Sequence, residues 1–275
     1  MDPVKGAAGL GAVALVVGGG YALKGGLDSW TPEVSFLSEM DEATFKKDYT
    51  NDKFGKKYAK YLTDPNKNES WWKKKYDEVL KNEQEVKGEN GQVTNNNNLS
   101  SEFQKGAVSK GFDSKDTNAL NKVCEAAFKK DLTDIKPSSG TNTDKDKYRA
   151  GIWKYCTIFE KELLTVKDAS NSSSYDGSKL GKTEEDVLAD TKSENNKIFW
   201  ERKQQEFFFG GNDKKGIGSK ANDGKAFGDL YKKKDSKEKE VGALKGVCET
   251  VYDKEDNDLK NEVILYCSLF EKDGQ

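Results

Sequence analysis

Apolar residues recur along this chain in helical stretches separated by polar ones. In NESWWKKKYDEVLKN (Asn68–Asn82), Trp72, Tyr76, Val79 and Leu80 fall at i, i+4, i+7 and i+8 and share one face of a predicted helix. Asn68 or Ser70 is placed to cap its start. SKDTNALNKVCEAAFKK repeats the pattern through Leu120, Val123, Cys124, Ala127 and Phe128, with Ser114 as the predicted N-cap. YRAGIWKYCTIFEKELL sets Tyr148, Ile152, Tyr155, Cys156, Phe159 and Leu163 on one side of a third helix. Between them lie polar stretches rich in Gly, Asn and Ser, at Gly88–Ser101, Pro137–Thr143 and Asp168–Thr183. The pattern predicts an all-α protein.

The order of these elements then recurs. KIFWERKQQEFFFGG brings Phe199-Trp200 where the first half has Trp71-Trp72, with Glu206 matching Glu78 at the same offset of 128. Leu244, Val247, Cys248, Glu249 and Tyr252 match Leu120, Val123, Cys124, Glu125 and Phe128 at an offset of 124. YCSLFEKD (Tyr266–Asp273) matches YCTIFEKE (Tyr155–Glu162) at an offset of 111. The reading is a tandem duplication of a helical unit. It places repeat A at 41–168 and repeat B at 184–275, with a linker over 25–40 and a Ser/Gly-rich linker over 169–183.

Each repeat holds two cysteines, Cys124 and Cys156 in the first and Cys248 and Cys267 in the second. In repeat B the first helix is predicted to end near Lys254 and the next to begin near Leu259. At the helical rise the two cysteines then lie about 9 and 12 Å from the turn, level with each other in an antiparallel hairpin. Repeat A carries thirteen extra residues (124 − 111), which fall in its turn between Lys136 and Ile152. Two structural disulfides are the first reading. Reduced core cysteines are the reading for a chain kept in the cytosol. A single zinc site lacks the close C-x-x-C pairs it requires.

GAAGLGAVALVVGGGYAL (Gly6–Leu23) has no charge, with Lys5 before it and Lys24 after. It is near the lower length for a membrane-spanning helix. Its small residues, such as Ala7/Gly11 and Ala14/Gly18, favour close helix contact. Residues 1–24 read first as a signal anchor holding the chain in the membrane through 6–23. A cleaved signal peptide (Gly20-Tyr21-Ala22 offers small residues at the cleavage positions) and a soluble Gly-rich segment stay open. The first two readings put the C-terminal region outside the cell.

Composition narrows the function. Lys+Arg 46 against Asp+Glu 48 gives no basic excess for nucleic acid. The chain has no histidine, which removes Ser-His and Cys-His nucleophile pairs and His-ligated metals. Hydrophobic residues are 34% and mean hydropathy is −0.91, so small stapled units fit better than one large core. Three motif look-alikes fail. GLGAVA (Gly9–Ala14) fits a dinucleotide fingerprint, yet too few residues precede it to form the strand it must follow. GSKLGKT (Gly177–Thr183) resembles a phosphate loop, with Asp176 where the first glycine belongs. DKEDND (Asp253–Asp258) lacks the glycine of a calcium loop. Trp71, Trp72, Trp153 and Trp200 are read as core before binding hot spots. No catalytic, cofactor or metal residue is assigned, and the chain is read as a non-enzyme. Two readings stand behind it: an intracellular helical scaffold with reduced cysteines, and a hydrolase using carboxylates or lysine.

MDPVKGAAGLGAVALVVGGGYAL, the aromatic-basic helix WWKKKYDEVL, and VCEAAF paired with WKYC together resemble the large paralogous families of uncharacterised proteins of haemotropic mycoplasmas. The resemblance implies a surface location and a role in host contact or antigenic variation, with a host or bacterial surface protein as partner. It carries over no residue roles.

Overall fold

The computed structural model describes residues 34–87, 92–136, 143–210, 215–237, 240–255 and 258–270. The fold is mostly helical. The first half runs α1 (Glu42–Asp48), α2 (Phe54–Tyr58), α3 (Glu69–Lys75), a π-helical turn (Tyr76–Leu80) and α4 (Lys81–Glu83). A short antiparallel pair follows, β1 (Glu85–Lys87) and β2 (Val93–Asn95), with Val86 opposite Thr94. Then come α5 (Leu120–Phe128), α6 (Leu132–Ile135) and α7 (Thr143–Cys156). The second half holds α8 (Leu180–Thr183), α9 (Lys197–Phe209), α10 (Ala226–Lys232), α11 (Lys234–Lys237), α12 (Ala243–Tyr252) and α13 (Lys260–Cys267). Among the described residues no helix is long and apolar enough to cross a membrane, and the predicted anchor at 6–23 lies outside them.

Several helix ends differ from those predicted, each for a local reason. α5 starts at Leu120 rather than near Ser114, because the Leu120 N–H is taken by the Lys110 carbonyl. The residues between are wound into a turn by Asp113, whose carboxylate accepts the Lys115 and Asp116 N–H groups. Asn68 does precede α3, but in the left-handed region (φ 61°) and without a capping bond; its side chain is committed elsewhere. α7 stops at Cys156 instead of running on to Leu163. The Thr157 hydroxyl donates back to the Trp153 carbonyl at 2.6 Å and accepts the Phe159 N–H, while Thr157 bridges to Leu62. Phe159 and Leu163 are buried as predicted, from a non-helical segment. Six of the thirteen extra residues of the first hairpin lengthen its second helix: α7 has 14 residues and α13 has 8.

The two halves share one hydrogen-bond frame. In the first, the Asn68 side chain accepts the Ser35 N–H and donates to the Ser35 and Asp64 carbonyls, and the Trp72 indole donates to Asp64 O at 3.1 Å. In the second, Asn196 accepts the Leu164 N–H and donates to the Leu164 and Asp190 carbonyls, and Trp200 donates to Asp190 O at 3.1 Å. Leu37 bonds Leu62 as Val166 bonds Leu188, and Thr63 bonds Cys156 as Ala189 bonds Cys267. Phe54 N–H meets Lys130 O as Leu180 N–H meets Lys254 O.

Residues 169–183, predicted to be a linker, belong to this frame. Tyr175, Leu180 and Gly181 occupy the places of Tyr49, Phe54 and Gly55 at a single offset of 126. Tyr175 and Leu180 are buried. The phosphate-loop look-alike is therefore the start of α8, packed against Lys254. Residues 34–38, within the predicted 25–40 linker, likewise pair with 59–68. In both halves a tyrosine ring lies flat against the helix glycine. A Cβ on Gly55 would sit 2.5 Å from Tyr49 and 2.8 Å from the Phe128 carbonyl; the three atoms nearest one on Gly181 all belong to the Tyr175 ring, at 2.7–2.8 Å. Gly55→Ala is expected to destabilise by about 2–3 kcal/mol and Gly181→Ala by about 1 kcal/mol, since a ring shifts more readily than backbone. Urea melts of the two variants check the order; equal costs would contradict it.

The halves pack into one continuous core. Tyr61 donates its hydroxyl to Leu269 O at 2.5 Å, Tyr58 stands edge-on to Phe270, and the Arg202 guanidinium lies 5.2 Å over the Phe36 ring. Lys136 pairs with Asp168 at 3.0 Å beside them.

Candidate functional site

The cysteine-bearing helices face each other in both halves. Cys124 on α5 is bonded to Cys156 on α7, and Cys248 on α12 to Cys267 on α13, with Cα–Cα distances of 5.7 and 5.9 Å. These are the predicted partners, and no cysteine is free. All four are fully buried, so each bond serves as an internal tie between helices and offers no exposed thiol chemistry. In the second half the Tyr252 hydroxyl closes the hairpin from below, donating toward the carbonyls of Ala189 and Cys267 at 2.9 and 3.1 Å.

The four tryptophans weighed as hot spots are at most 7% exposed and belong to the core. Among the described residues no group of three His, Cys, Asp or Glu side chains is placed to hold a metal ion. The dinucleotide look-alike at Gly9–Ala14 lies outside the described residues, as does part of the acidic turn at 253–258.

One polar cluster was not legible in the sequence, and the π-helical turn builds it. Lys75 and Glu83 are eight residues apart, which on a regular α-helix separates them by about 80° around the axis. A π turn absorbs one extra residue and brings them to within about 20°, both toward α7. There Glu83 receives Lys154 at 2.6 Å and the Tyr155 hydroxyl at 2.5 Å. Burial, with Glu83 beside it, pushes the Tyr155 hydroxyl well above the usual phenol range. Lys75 is 8% exposed, its ammonium 5.7 Å from the Trp71 ring and 3.6 Å from the Glu160 carboxylate. Burial pulls Lys75 below the ordinary lysine value and the Glu160 charge opposes that. Glu160 is 64% exposed and holds φ at +62°, a conformation uncommon outside glycine. Among the described residues of the second half the arrangement differs: α9 is unbroken, and Lys203, at the place of Lys75, pairs with Glu206 on its own helix.

A shallow groove of about 350 Å³ lies between α10 and α12, lined by Leu230, Ala243 and Val247 with Asp229, Lys233 and Glu240 around them. The matching face of α5 has Lys122 where α12 has Gly246, and Lys122 there ties Glu125 to Asn66.

No protein-family model, curated protein or solved structure matches the chain.

Proposed function

We propose that this chain is a duplicated, disulfide-stapled helical protein of the cell surface, anchored or secreted, that works by binding and without catalysis. The observation that carries the reading is the pairing of every cysteine within its own half. Disulfides of this kind persist in oxidising compartments and are rare in reducing cytosol. The uncharged Gly6–Leu23 stretch supplies the means of export or anchoring. Duplication is supported by the shared Asn-Asp-Trp frame, which recurs bond for bond although few residues around it match. A role in host contact or antigenic variation rests on the family resemblance, and a two-unit scaffold held rigid from within suits a surface that varies outside.

Protease applied to intact cells is expected to digest residues 25–275, and protein alkylated in denaturant without reductant at lysis, which exposes the buried positions, is expected to show no modified cysteine by mass analysis. An uncut chain with four alkylated cysteines would instead establish the intracellular scaffold and overturn the proposal.

A further inference from the structure

We infer that the Lys75 ammonium is a recognition point for an acidic group of a binding partner, an aspartate or glutamate side chain, and that Glu160 occupies it when the partner is absent. This deepens the proposed binding role by naming a partner chemistry. It can fail while the surface location stands, because its test reads binding alone.

Four observations converge on this point. Lys75 is a charged side chain more than nine-tenths buried, yet its carboxylate partner is a mostly exposed residue at 3.6 Å. Charge-assisted hydrogen bonds settle at about 2.7–2.9 Å, so Glu160 holds the ammonium loosely. Glu160 reaches it only from a left-handed backbone conformation, and such conformations persist where the surroundings impose them, often at ligand clamps. The Trp71 ring flanks the ammonium and gives an incoming side chain an apolar wall. The neighbouring cation, Lys154, is held closely by Glu83 at 2.6 Å, whereas the Lys75 contact to Glu160 is 3.6 Å.

Comparison of the halves sharpens the assignment. The π turn that aligns Lys75 with Glu83 belongs to the first half, whereas α9 is unbroken and Lys203, at the place of Lys75, pairs within it; Glu271, at the place of Glu160, lies outside the described residues. In the second half Phe199, at the place of Trp71, is covered by Tyr61 from the other half. Trp71 instead carries the Lys75 ammonium at 5.7 Å, with the mostly exposed Glu160 carboxylate outside it. The first half thus sets a charged pair, its carboxylate facing solvent, at the place where its twin packs Phe199 against Tyr61.

The test is calorimetric titration of the full chain with a tetraglutamate peptide, in wild type and in Glu160→Ala, Glu160→Gln, Lys75→Met and Lys74→Met. Removing the internal occupant is expected to tighten binding by about tenfold, since an occupied site reports only the fraction of time it is free. Glu160→Gln keeps the side-chain size and serves if the alanine variant folds poorly. Lys75→Met retains the stem over Trp71 and is expected to abolish the gain when combined with Glu160→Gln. Lys74→Met, one residue away on the exposed face, is expected to leave binding unchanged. Equal affinity of wild type and both Glu160 variants, or an equal loss in Lys74→Met, would overturn the inference and reduce the pair to a cover over Trp71.

Discussion

Replacing Cys124 and Cys156 together by alanine is expected to lower the unfolding free energy by about 3.7 kcal/mol, and replacing Cys248 and Cys267 by about 3.2 kcal/mol, from the entropy of the loops they close. The loops span 32 and 19 residues, which sets that order. Alanine is the right substitute because all four positions are fully buried; a serine hydroxyl would add a separate cost of about 1–3 kcal/mol if left without a partner. A domain of ordinary stability has about 5–15 kcal/mol in total. The fourfold variant is therefore expected to be largely unfolded at 37 °C, while each paired variant folds with a lower urea midpoint. Circular dichroism across urea reads both. A fourfold variant that melts within a few degrees of wild type would show that helix packing alone holds the hairpins.

The second large effect is expected at Asn196, which is fully buried. Its side chain makes three bonds to backbone, at 2.7, 2.9 and 2.9 Å, fixing the strand at Leu164 to the turn at Asp190. Asn196→Ala removes all three and leaves the part-buried Leu164 N–H without its partner. At about 1 kcal/mol for each lost bond, with the unpaired donor adding to it, a loss of about 3–4 kcal/mol is expected. Asn68→Ala removes the same bonds in the first half but from a half-exposed site, where water can replace them, and a loss of about 1–2 kcal/mol is expected. Asn196→Asp keeps the acceptor but sets a carboxylate oxygen against the Leu164 and Asp190 carbonyls in a fully buried site, so near neutral pH it should cost at least as much as alanine. Chemical denaturation of the three variants decides it. An Asn196→Ala cost no larger than that of Asn68→Ala would mean that burial does not set the value of the clamp.

The clamps also explain why part of this architecture was hidden in the chain. Trp71-Trp72 and Phe199-Trp200 recur in plain sight because an indole in a core has few substitutes. Asn68 and Asn196 each stand four residues before the matched tryptophan, at the same offset of 128, but Asp64 and Asp190, whose carbonyls they share, are offset by 126, so the first clamp spaces Asp and Asn by four residues and the second by six. What Asp64 and Asp190 contribute is a backbone carbonyl, which any residue can supply, and a lone Asn in a polar stretch reads as a helix cap, so the clamp leaves little trace in the chain. Tyr175, Leu180 and Gly181 sat inside a stretch rich in Ser, Gly and Asp that reads as a linker, since three buried residues among many polar ones leave no periodic signal. The π turn was equally silent: periodicity counts residues, and a helix that absorbs one extra residue keeps its apolar face while turning Lys75 toward Glu83.

What the sequence by itself determined here is the helical character, the buried faces of α3, α5 and α12, and the choice of cysteine partners. Those follow from periodic apolar positions and from two cysteines set at equal distances from a turn, which are local properties. Tertiary structure alone decided where the helices stop, that the halves share a core, and that a lysine, a tyrosine and two glutamates meet on one face. Each of those depends on a backbone carbonyl or a charge contributed by residues tens of positions away, as when Thr157 meets Leu62 or Lys75 meets Glu160. Contacts between such distant positions leave no periodic trace in either segment, because each partner's polarity is equally consistent with a solvated surface.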